Sequence, residues 1–386
     1  MTMIDVLVIG GGIHGTGVAQ AAAAAGYSAL LVERETLGHG TSSKSSKLIH
    51  GGLRYLESGH FGLVRESLRE RRILLRIAPE LVKPVRFYIP VYDDTSRPAW
   101  QIRAGLGFYA VLGGLGKENR FRSVPRSQWG GLDGLQLRGL RKVFQYWDAA
   151  TDDLQLTQAI GRSAANLGAA IREHTEFLSA TAVRGGFKVR FRTIEGEGEE
   201  ECRTLVNAAG PWVNRVLEKV DPAQPRIGID LVQGTHLVLQ DGPSMGVYYT
   251  EALSDRRGIF LMPWKGHGLL GTTEKVFTGH PDGTKPSRDE VDYLLENVAH
   301  YFPNLDATVI ESWSGLRVLL RGQGDLFRRP REMVLLPGAG KPPRLVTLYG
   351  GKLTGYRASA LKALKQLSPV LPTVPPRADT AELPLE

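Results

Sequence analysis

Cysteine is almost absent from this sequence: Cys202 is the one thiol in 386 residues. That excludes an internal disulfide framework and any zinc or CxxC redox site made from this chain alone. A reducing compartment suits such a chain. Long apolar runs are missing too. No stretch approaches the roughly 18 uncharged apolar residues of a spanning helix, and Met1 leads straight into a strand-like segment without a signal-peptide layout. The sequence therefore reads as cytoplasmic, with contact at the inner face of a membrane left open. Zinc-finger spacings and RNA-recognition signatures are also lacking. The net charge of +8 permits a nucleic acid, an anionic membrane face or an anionic substrate as partner. Nucleic acid is the weakest of the three, because the basic residues are scattered instead of forming one strip with interleaved aromatics.

What is present suffices for a large core. With 42% hydrophobic and 23% charged residues, a chain of this length divides by size into two globular parts. Residues 5–10 (DVLVIG) form a short β-branched apolar run leading into Gly10, Gly12 and Gly15, and an alanine-rich stretch continues to Gly26. The order is strand, tight turn, helix, helix stop. A second strand over 28–33 completes a βαβ unit. Residues 61–77 read as an amphipathic helix: Phe61, Val64, Leu68 and Leu75 lie on one face, Arg65, Glu66, Arg69 and Glu70 on the other.

From about 86 to 144 no single period holds, which predicts irregular excursions or short helices covering a site. A helix is predicted over 152–167. Strands are predicted at 187–193 and 203–208, with an acidic hairpin at 195–201 between them. Alternation from 231 to 271 predicts a mixed or antiparallel sheet. A strand over 344–348, a turn at Gly350 and Gly351 and a helix over 356–367 follow. The Pro-rich tail after Ser368 is predicted to be loose.

The glycine triplet after a strand, opening a helix, with Glu33 closing the next strand, meets the context required of a dinucleotide site. The glycines admit the backbone close to a pyrophosphate, the helix N-terminus faces its charge, and Glu33 can accept from ribose hydroxyls. NAD and FAD both use this unit. Two later segments favour FAD: 204–212 (TLVNAAGPW), similar to the second flavin-contact motif of two-domain flavoproteins, and 349–354 (YGGKLT), a strand–turn–helix start of the kind that brings N–H groups to a flavin ring.

The stretch 41–57 (TSSKSSKLIHGGLRYLE) resembles the signature of the FAD-dependent glycerol-3-phosphate dehydrogenases. The likeness continues at RPAW (97–100), NAAGPW, QGTHLVL, GTT, SGLR and GGKLTGYR, in the expected order. It implies an α/β fold: a Rossmann-like FAD-binding domain of the glutathione-reductase or D-amino-acid-oxidase type, with a second, mixed or antiparallel sheet over the isoalloxazine ring. The expected division is 1–85, 145–220 and 331–368 for FAD, 86–144 and 221–330 for substrate, and 369–386 as tail. The family's flavin contacts then fall on Gly10, Gly12, Gly15, Glu33, the run 41–48 with Thr41, Ser42, Ser46, Lys47 and Leu48, and on Ala208, Gly210, Gly351 and Leu353. Its substrate-facing groups fall on His50, Arg54, Tyr55, His236, Arg257, Arg317 and Lys352. Departures are Val318 where proline usually follows the arginine, Glu274 for an aspartate, and Gly355 for a threonine. The family's helical C-terminal domain is not in the sequence, which ends at Glu386 and so reads as a short form.

The chemistry implied is oxidation of a small phosphorylated polyol, sn-glycerol 3-phosphate first, by hydride transfer to flavin N5. His50 or His236 would take the hydroxyl proton. Arg54, Arg257 and Arg317 would clamp the phosphate, and Lys352 would steady developing negative charge. Quinone or oxygen would reoxidise the flavin. Arg65, Arg69, Arg71, Arg72 and Arg76, beside Leu74, Leu75 and Ile77, are candidates for an anionic lipid surface. Two rivals remain: a flavin oxidase or dehydrogenase of another 2-hydroxy or amino acid, and a non-catalytic flavoprotein subunit.

Overall fold

The computed structural model describes residues 3–114, 116, 119–322 and 332–386. Its strands and longer helices run β1 (Ile4–Ile9), α1 (Ile13–Ala24), β2 (Ala29–Val32), β3 (Leu48–Ile49), α2 (Phe61–Ile77), β4 (Val82–Tyr92), α3 (Ala99–Leu112), β5 (Arg122–Ser123), β6 (Leu140–Thr151) and α4 (Asp153–Asn166). Next come β7 (Ala170–Arg172), β8 (Glu176–Val183), β9 (Gly186–Thr193), β10 (Gly196–Asn207), α5 (Val213–Leu217), β11 (Val220–Asp221), β12 (Ile229–Leu239) and β13 (Val247–Glu251). The remainder is β14 (Gly258–Trp264), β15 (His267–Gly271), β16 (Lys275–Phe277), α6 (Arg288–Tyr301), β17 (Val309–Leu320), β18 (Val334–Pro337), β19 (Leu345–Tyr349) and α7 (Tyr356–Leu367).

Two sheets carry the architecture. In the first, β1 is parallel to β2 on one side and to β10 on the other, and β10 is parallel to β19. β7 extends it beyond β2, and the antiparallel β8–β9 hairpin widens the far edge. The parallel centre is buried on both faces, so β1 and β2 are runs of apolar residues without alternation. The alanines of α1 let that helix lie close against the sheet and against α4 and α7, where all but one of its residues are buried. Its buried Gln20 is answered by Ser163 at 2.9 Å. The helix stops at Gly26, in the left-handed region at φ +96.

The second sheet is mixed and largely antiparallel, in the order β16-β12-β15-β14-β13-β4-β6-β3, with β17 also on β12 and β5 on β6. The fold is α/β with a second, mixed sheet, as expected. Strand pairing cuts the chain somewhat differently from the sequence division, since Leu48–Ile49, β4 from Val82 and β6 through Thr151 all pair in the second sheet. Residues 323–331, where that division places a boundary, lie outside the described residues.

Three local expectations need correction. Within 86–144 the helix α3 agrees with the short helices expected, but β4 and β6 are regular strands where no strand was expected. β4 hid because its last six residues are all buried, which erases alternation. The acidic hairpin at 195–201 is strand from Gly196 onward, its glutamates facing basic partners across the ladder, as in Arg190–Glu197 and Lys188–Glu199. The tail is docked. Arg377 N–H donates to the Ala24 carbonyl at 2.7 Å and Leu385 N–H to that of Ile77 at 2.7 Å, with the Leu385 side chain buried.

The face of α2 also differs. Glu70 is buried in a two-pronged pair with Arg357, both contacts at 2.8 Å, and Arg71 is buried against Asp148 and Asn119. Leu74 and Ile77 are core residues, and Arg76 pairs with Glu382. Arg71, Leu74 and Ile77 thus face protein, while Arg72 and Arg76 remain exposed.

Candidate active site

One cavity of about 1100 Å³ runs between the two sheets. Of the sequence-named cofactor positions, Gly10, Gly12, Glu33, Thr41, Ser42, Ser46, Leu48, Ala208, Gly210, Gly351 and Leu353 line it. So do His50, Arg54, Tyr55, His236, Arg257, Arg317 and Lys352. Gly15 and Lys47 stand outside it.

At one end the β1–α1 turn brings backbone to the cavity wall. Gly10 has φ +103, and a Cβ on Gly15 would fall 1.8 Å from the Gly10 carbonyl oxygen. Gly15 thus serves the close packing of turn and helix, a role distinct from touching a ligand. Gly12 caps α1 without a side-chain hydrogen bond; Ser42 Oγ accepts from Ile13 N–H at 2.9 Å. The rest of the helix N-terminus has no side-chain cap and suits a pyrophosphate. Glu33 lines the wall beside it, its carboxylate accepting from Gly11 N–H at 2.5 Å and Glu35 N–H at 2.9 Å. These contacts fix the carboxylate where the turn ends.

In the middle, β19 ends in Gly350 and Gly351, both at positive φ, followed by Lys352 and Leu353. Lys352 Nζ lies 3.6 Å from the centre of the Tyr55 ring, a cation–π contact. Backbone N–H groups on a glycine turn with a lysine next to it suit the polar edge of a flavin. The uncapped helix, the acidic strand end and this turn together form a cradle of the right chemistry for FAD.

The far end is cationic. Arg317, on β17, donates to Thr272 Oγ1 at 2.9 Å and to Glu274 Oε1 at 3.2 Å. Arg257, at the start of β14, pairs with Asp255 at 3.2 Å and Glu274 at 3.7 Å, so Glu274 bridges two guanidinium groups. Desolvation, then the like charges of Arg54 and Arg257, push the Arg317 pKa down to about 10; it remains charged at neutral pH.

The two histidines differ. His236, on β12, is buried with Nε2 at 2.9 Å from Ser46 Oγ and its ring stacked on Trp313. Burial, then the charges of Arg317 and Lys47, lower its pKa to about 3. It is neutral through the physiological range and a feeble base. His50 is half-buried in the cavity wall, its backbone tied to Thr354 Oγ1 at 3.1 Å. Lys47, expected at the flavin, is buried instead in an ion pair with Asp153 at 2.5 Å. Its backbone at φ +58 turns the side chain toward α4. Sequence reading also passed over His14 and Tyr249 in the cavity wall. A polar side chain amid the alanines and glycines of α1 was the available signal for His14.

A fold of this kind, with a dinucleotide cradle open to a cationic pocket between two sheets, defines a flavin-dependent oxidoreductase. The family profile described as FAD dependent oxidoreductase matches residues 5–357. A glycerol-3-phosphate dehydrogenase of Pseudomonas aeruginosa is 39% identical over 391 residues, covering 99% of this chain and 74% of that protein. A D-erythritol 1-phosphate dehydrogenase of Brucella abortus is 37% identical over 376 residues, 95% of this chain and 74% of the relative. Among solved structures, the FAD complex of a glycerol-3-phosphate dehydrogenase from Bacillus halodurans superposes with a TM-score of 0.75 at 25% identity, covering all of this chain and 68% of the other. An FAD-bound L-alpha-glycerophosphate oxidase from Mycoplasma pneumoniae, 16% identical, shares the fold over 99% of this chain and 98% of its own, with a TM-score of 0.79. The chain belongs to the family of FAD-dependent oxidoreductases that contains the glycerol-3-phosphate dehydrogenases, and FAD is its cofactor.

Proposed function

We propose that the chain oxidises sn-glycerol 3-phosphate to dihydroxyacetone phosphate, with the first sheet and its helices holding FAD and the second sheet presenting the substrate. The observation that carries this reading is Arg317 set among Arg54 and Arg257, a concentration of like charge that an incoming dianion would relieve. FAD held in the cradle would supply the acceptor for the hydride leaving C2. Arg317 and Arg257, held at fixed angles by Glu274, present planar forks to phosphate oxygens. Lys352, its Nζ over the Tyr55 ring, supplies positive charge behind the cavity wall that favours a developing alkoxide. His50 takes the C2 hydroxyl proton; His236, too weak a base, holds Ser46 and the 41–48 loop in place. Retention of the arginines also suits a carboxylate, so the test compares substrates. Anaerobic glycerol 3-phosphate should bleach the bound flavin within one turnover, while 2-hydroxy acids and amino acids leave it oxidised. Bleaching by those acids instead would make the chain an oxidase or dehydrogenase of that class, and oxidised flavin with every substrate would make it a non-catalytic subunit.

For the second half-reaction a membrane quinone is the acceptor favoured over oxygen. α3 lines the cavity mouth through Ile102, Gly105 and Phe108, and its outer side shows Trp100 at 73% and Val111 at 56% exposure. Exposed Arg65 and Arg69 of α2 lie on the neighbouring helix. An apolar helix flanked by positive charge suits anionic lipid. Among the described residues no helix is long and apolar enough to cross a membrane, so contact would be at the surface. Replacing Trp100 and Val111 by serine should weaken binding to anionic vesicles about tenfold or more, since burying an apolar side chain of this size is worth about 1.5–3 kcal/mol. Flavin reduction by substrate should not change. Vesicle binding equal to wild type would leave oxygen as the acceptor to test.

A further inference from the structure

The turn between β15 and β16 is the frame on which the cationic end of the cavity is built. Thr272 Oγ1 accepts from Arg317 Nη2 at 2.9 Å, the Thr273 carbonyl from Nη1 at 3.4 Å, and Glu274 Oε1 from the same Nη1 at 3.2 Å. The Glu274 carbonyl also accepts from Arg257 Nη1 at 3.0 Å. Gly234 of β12 leaves room for this arrangement, since a Cβ there would fall 2.6 Å from both Arg317 Nη2 and Thr272 Oγ1. The placing of two guanidinium groups therefore depends on how three consecutive residues are held. Thr272 and Glu274 line the cavity and Thr273 does not. Its buried hydroxyl accepts from Thr235 N–H at 2.9 Å and donates to Glu290 Oε1 at 2.5 Å.

Glu290 is the third residue of α6 and forms a capping box with Ser287. Its Oε2 accepts from Ser287 N–H at 3.1 Å, from Ser287 Oγ at 3.0 Å and from Gln233 Nε2 at 2.6 Å. The other oxygen serves Thr273. A capping box needs only the return bond to the N-cap N–H, yet Glu290 is 5% exposed, and burying a carboxylate is unfavourable unless hydrogen bonds answer it. Burial pushes its pKa up, but the bonds from Thr273 and Ser287 outweigh that and hold it below the usual carboxylate range. It is an anion at neutral pH. Leu294 and Val298 fix α6 in the core beneath the second sheet, so this carboxylate stands on a rigid element. We propose that Glu290 is a positioning residue for the phosphate site: through Thr273 Oγ1 it locks the 272–274 turn, and with it Arg317 and Arg257, in the geometry that receives the phosphate. The assignment rests on the proposed substrate reading and adds a residue that stands behind the clamp and outside the cavity lining.

Glu290→Gln keeps the shape and an acceptor for the α6 cap but offers Thr273 no charged acceptor. Thr273→Val deletes the hydroxyl at similar shape, and Thr273→Ser keeps it. In anaerobic stopped-flow reduction of the holoenzyme, the glycerol 3-phosphate concentration giving half-maximal rate should rise about tenfold in Glu290→Gln and in Thr273→Val. Flavin reduction at saturation should stay within about threefold of wild type, because a displaced clamp weakens the ground and transition states alike. Thr273→Ser should behave as wild type. Added to Arg317→Ala, Glu290→Gln should change kcat/KM less than about threefold, since the principal group that the turn holds is already gone. Ser287→Ala, which weakens the cap and leaves the Thr273 bond, should lower the melting temperature without moving half-saturation. Half-saturation unchanged in both Glu290→Gln and Thr273→Val would overturn the assignment. A rise of the same size in Ser287→Ala, or full additivity with Arg317→Ala, would overturn it too, marking a general loss of stability. If Glu290→Gln does not fold, the two Thr273 variants carry the same test. Wild-type flavin left oxidised by glycerol 3-phosphate would overturn the substrate reading and this assignment with it, a result distinct from wild-type bleaching with unaffected variants.

Discussion

Arg317→Ala should lower kcat/KM for glycerol 3-phosphate by about 3–4 kcal/mol, roughly two to three orders of magnitude, since truncating one member of a buried charge pair typically costs 2–5 kcal/mol. The loss has two sources. The phosphate loses a two-pronged donor, and Glu274 loses the guanidinium at 3.2 Å that offsets its charge. The second effect is the worse, because a carboxylate facing the phosphate site then repels the substrate. Arg317→Lys should recover part of the loss, since lysine restores the charge without the planar fork. Glu274→Gln in the Arg317→Ala background should recover another part by removing the repulsion. The fold should hold: Arg317 lies on β17, whose ladder with β12 is made by backbone from Ile229 to Leu239. An unchanged flavin spectrum in the variant would verify this. Steady-state kinetics within threefold of wild type would remove Arg317 from the site.

The parts of the fold legible in the sequence are those whose signal is local. The strands of the β1–α1–β2 unit lie within a residue of expectation and α1 opens three residues earlier than its alanines, at Ile13, because a buried parallel strand, a glycine turn and an alanine helix each write their pattern over adjacent residues. α2 matched at both ends for the same reason. Its inner polar residues did not. Glu70 finds Arg357, 287 positions away, and no periodicity distinguishes a glutamate with a buried partner from one in water. Positions 86–144 failed differently: β4 is covered on both faces at its end, so apolar residues run together and the two-residue period is lost. The tail was judged by its prolines, yet it holds its place through backbone donors to α1 and α2 that composition does not record. In the candidate site the glycine turns and the arginines stood out because their residue types are rare in that arrangement. His14 was hidden inside a motif already explained.

Lys47 is where a motif assigned one role and the tertiary structure supports another, and the two roles predict opposite results. Within the 41–48 run it was expected at the flavin. The structure buries Nζ against Asp153 at 2.5 Å and the Ser43 carbonyl at 2.6 Å, 5.2 Å from the ring centres of both Trp264 and Trp313. Asp153 opens α4 and also accepts from the N–H groups of Ser45 and Leu154, each at 2.9 Å. The pair therefore ties the 41–48 loop to α4, which packs on α1. Lys47→Met fills similar space but strands the aspartate, and breaking a buried pair from one side costs about 3–5 kcal/mol. The lower half of that range is expected, because two N–H donors and the positive end of α4 still steady the carboxylate. Adding Asp153→Asn should return a large share of the stability, because the double variant buries no net charge. Denaturant unfolding of the four proteins gives the coupling directly. FAD affinity of folded Lys47→Met should stay within about threefold of wild type, since a purely structural pair acts on global stability and not on a ligand contact. If affinity instead collapsed while unfolding stability held, Lys47 would be a flavin ligand after all and Asp153 merely its orienting partner.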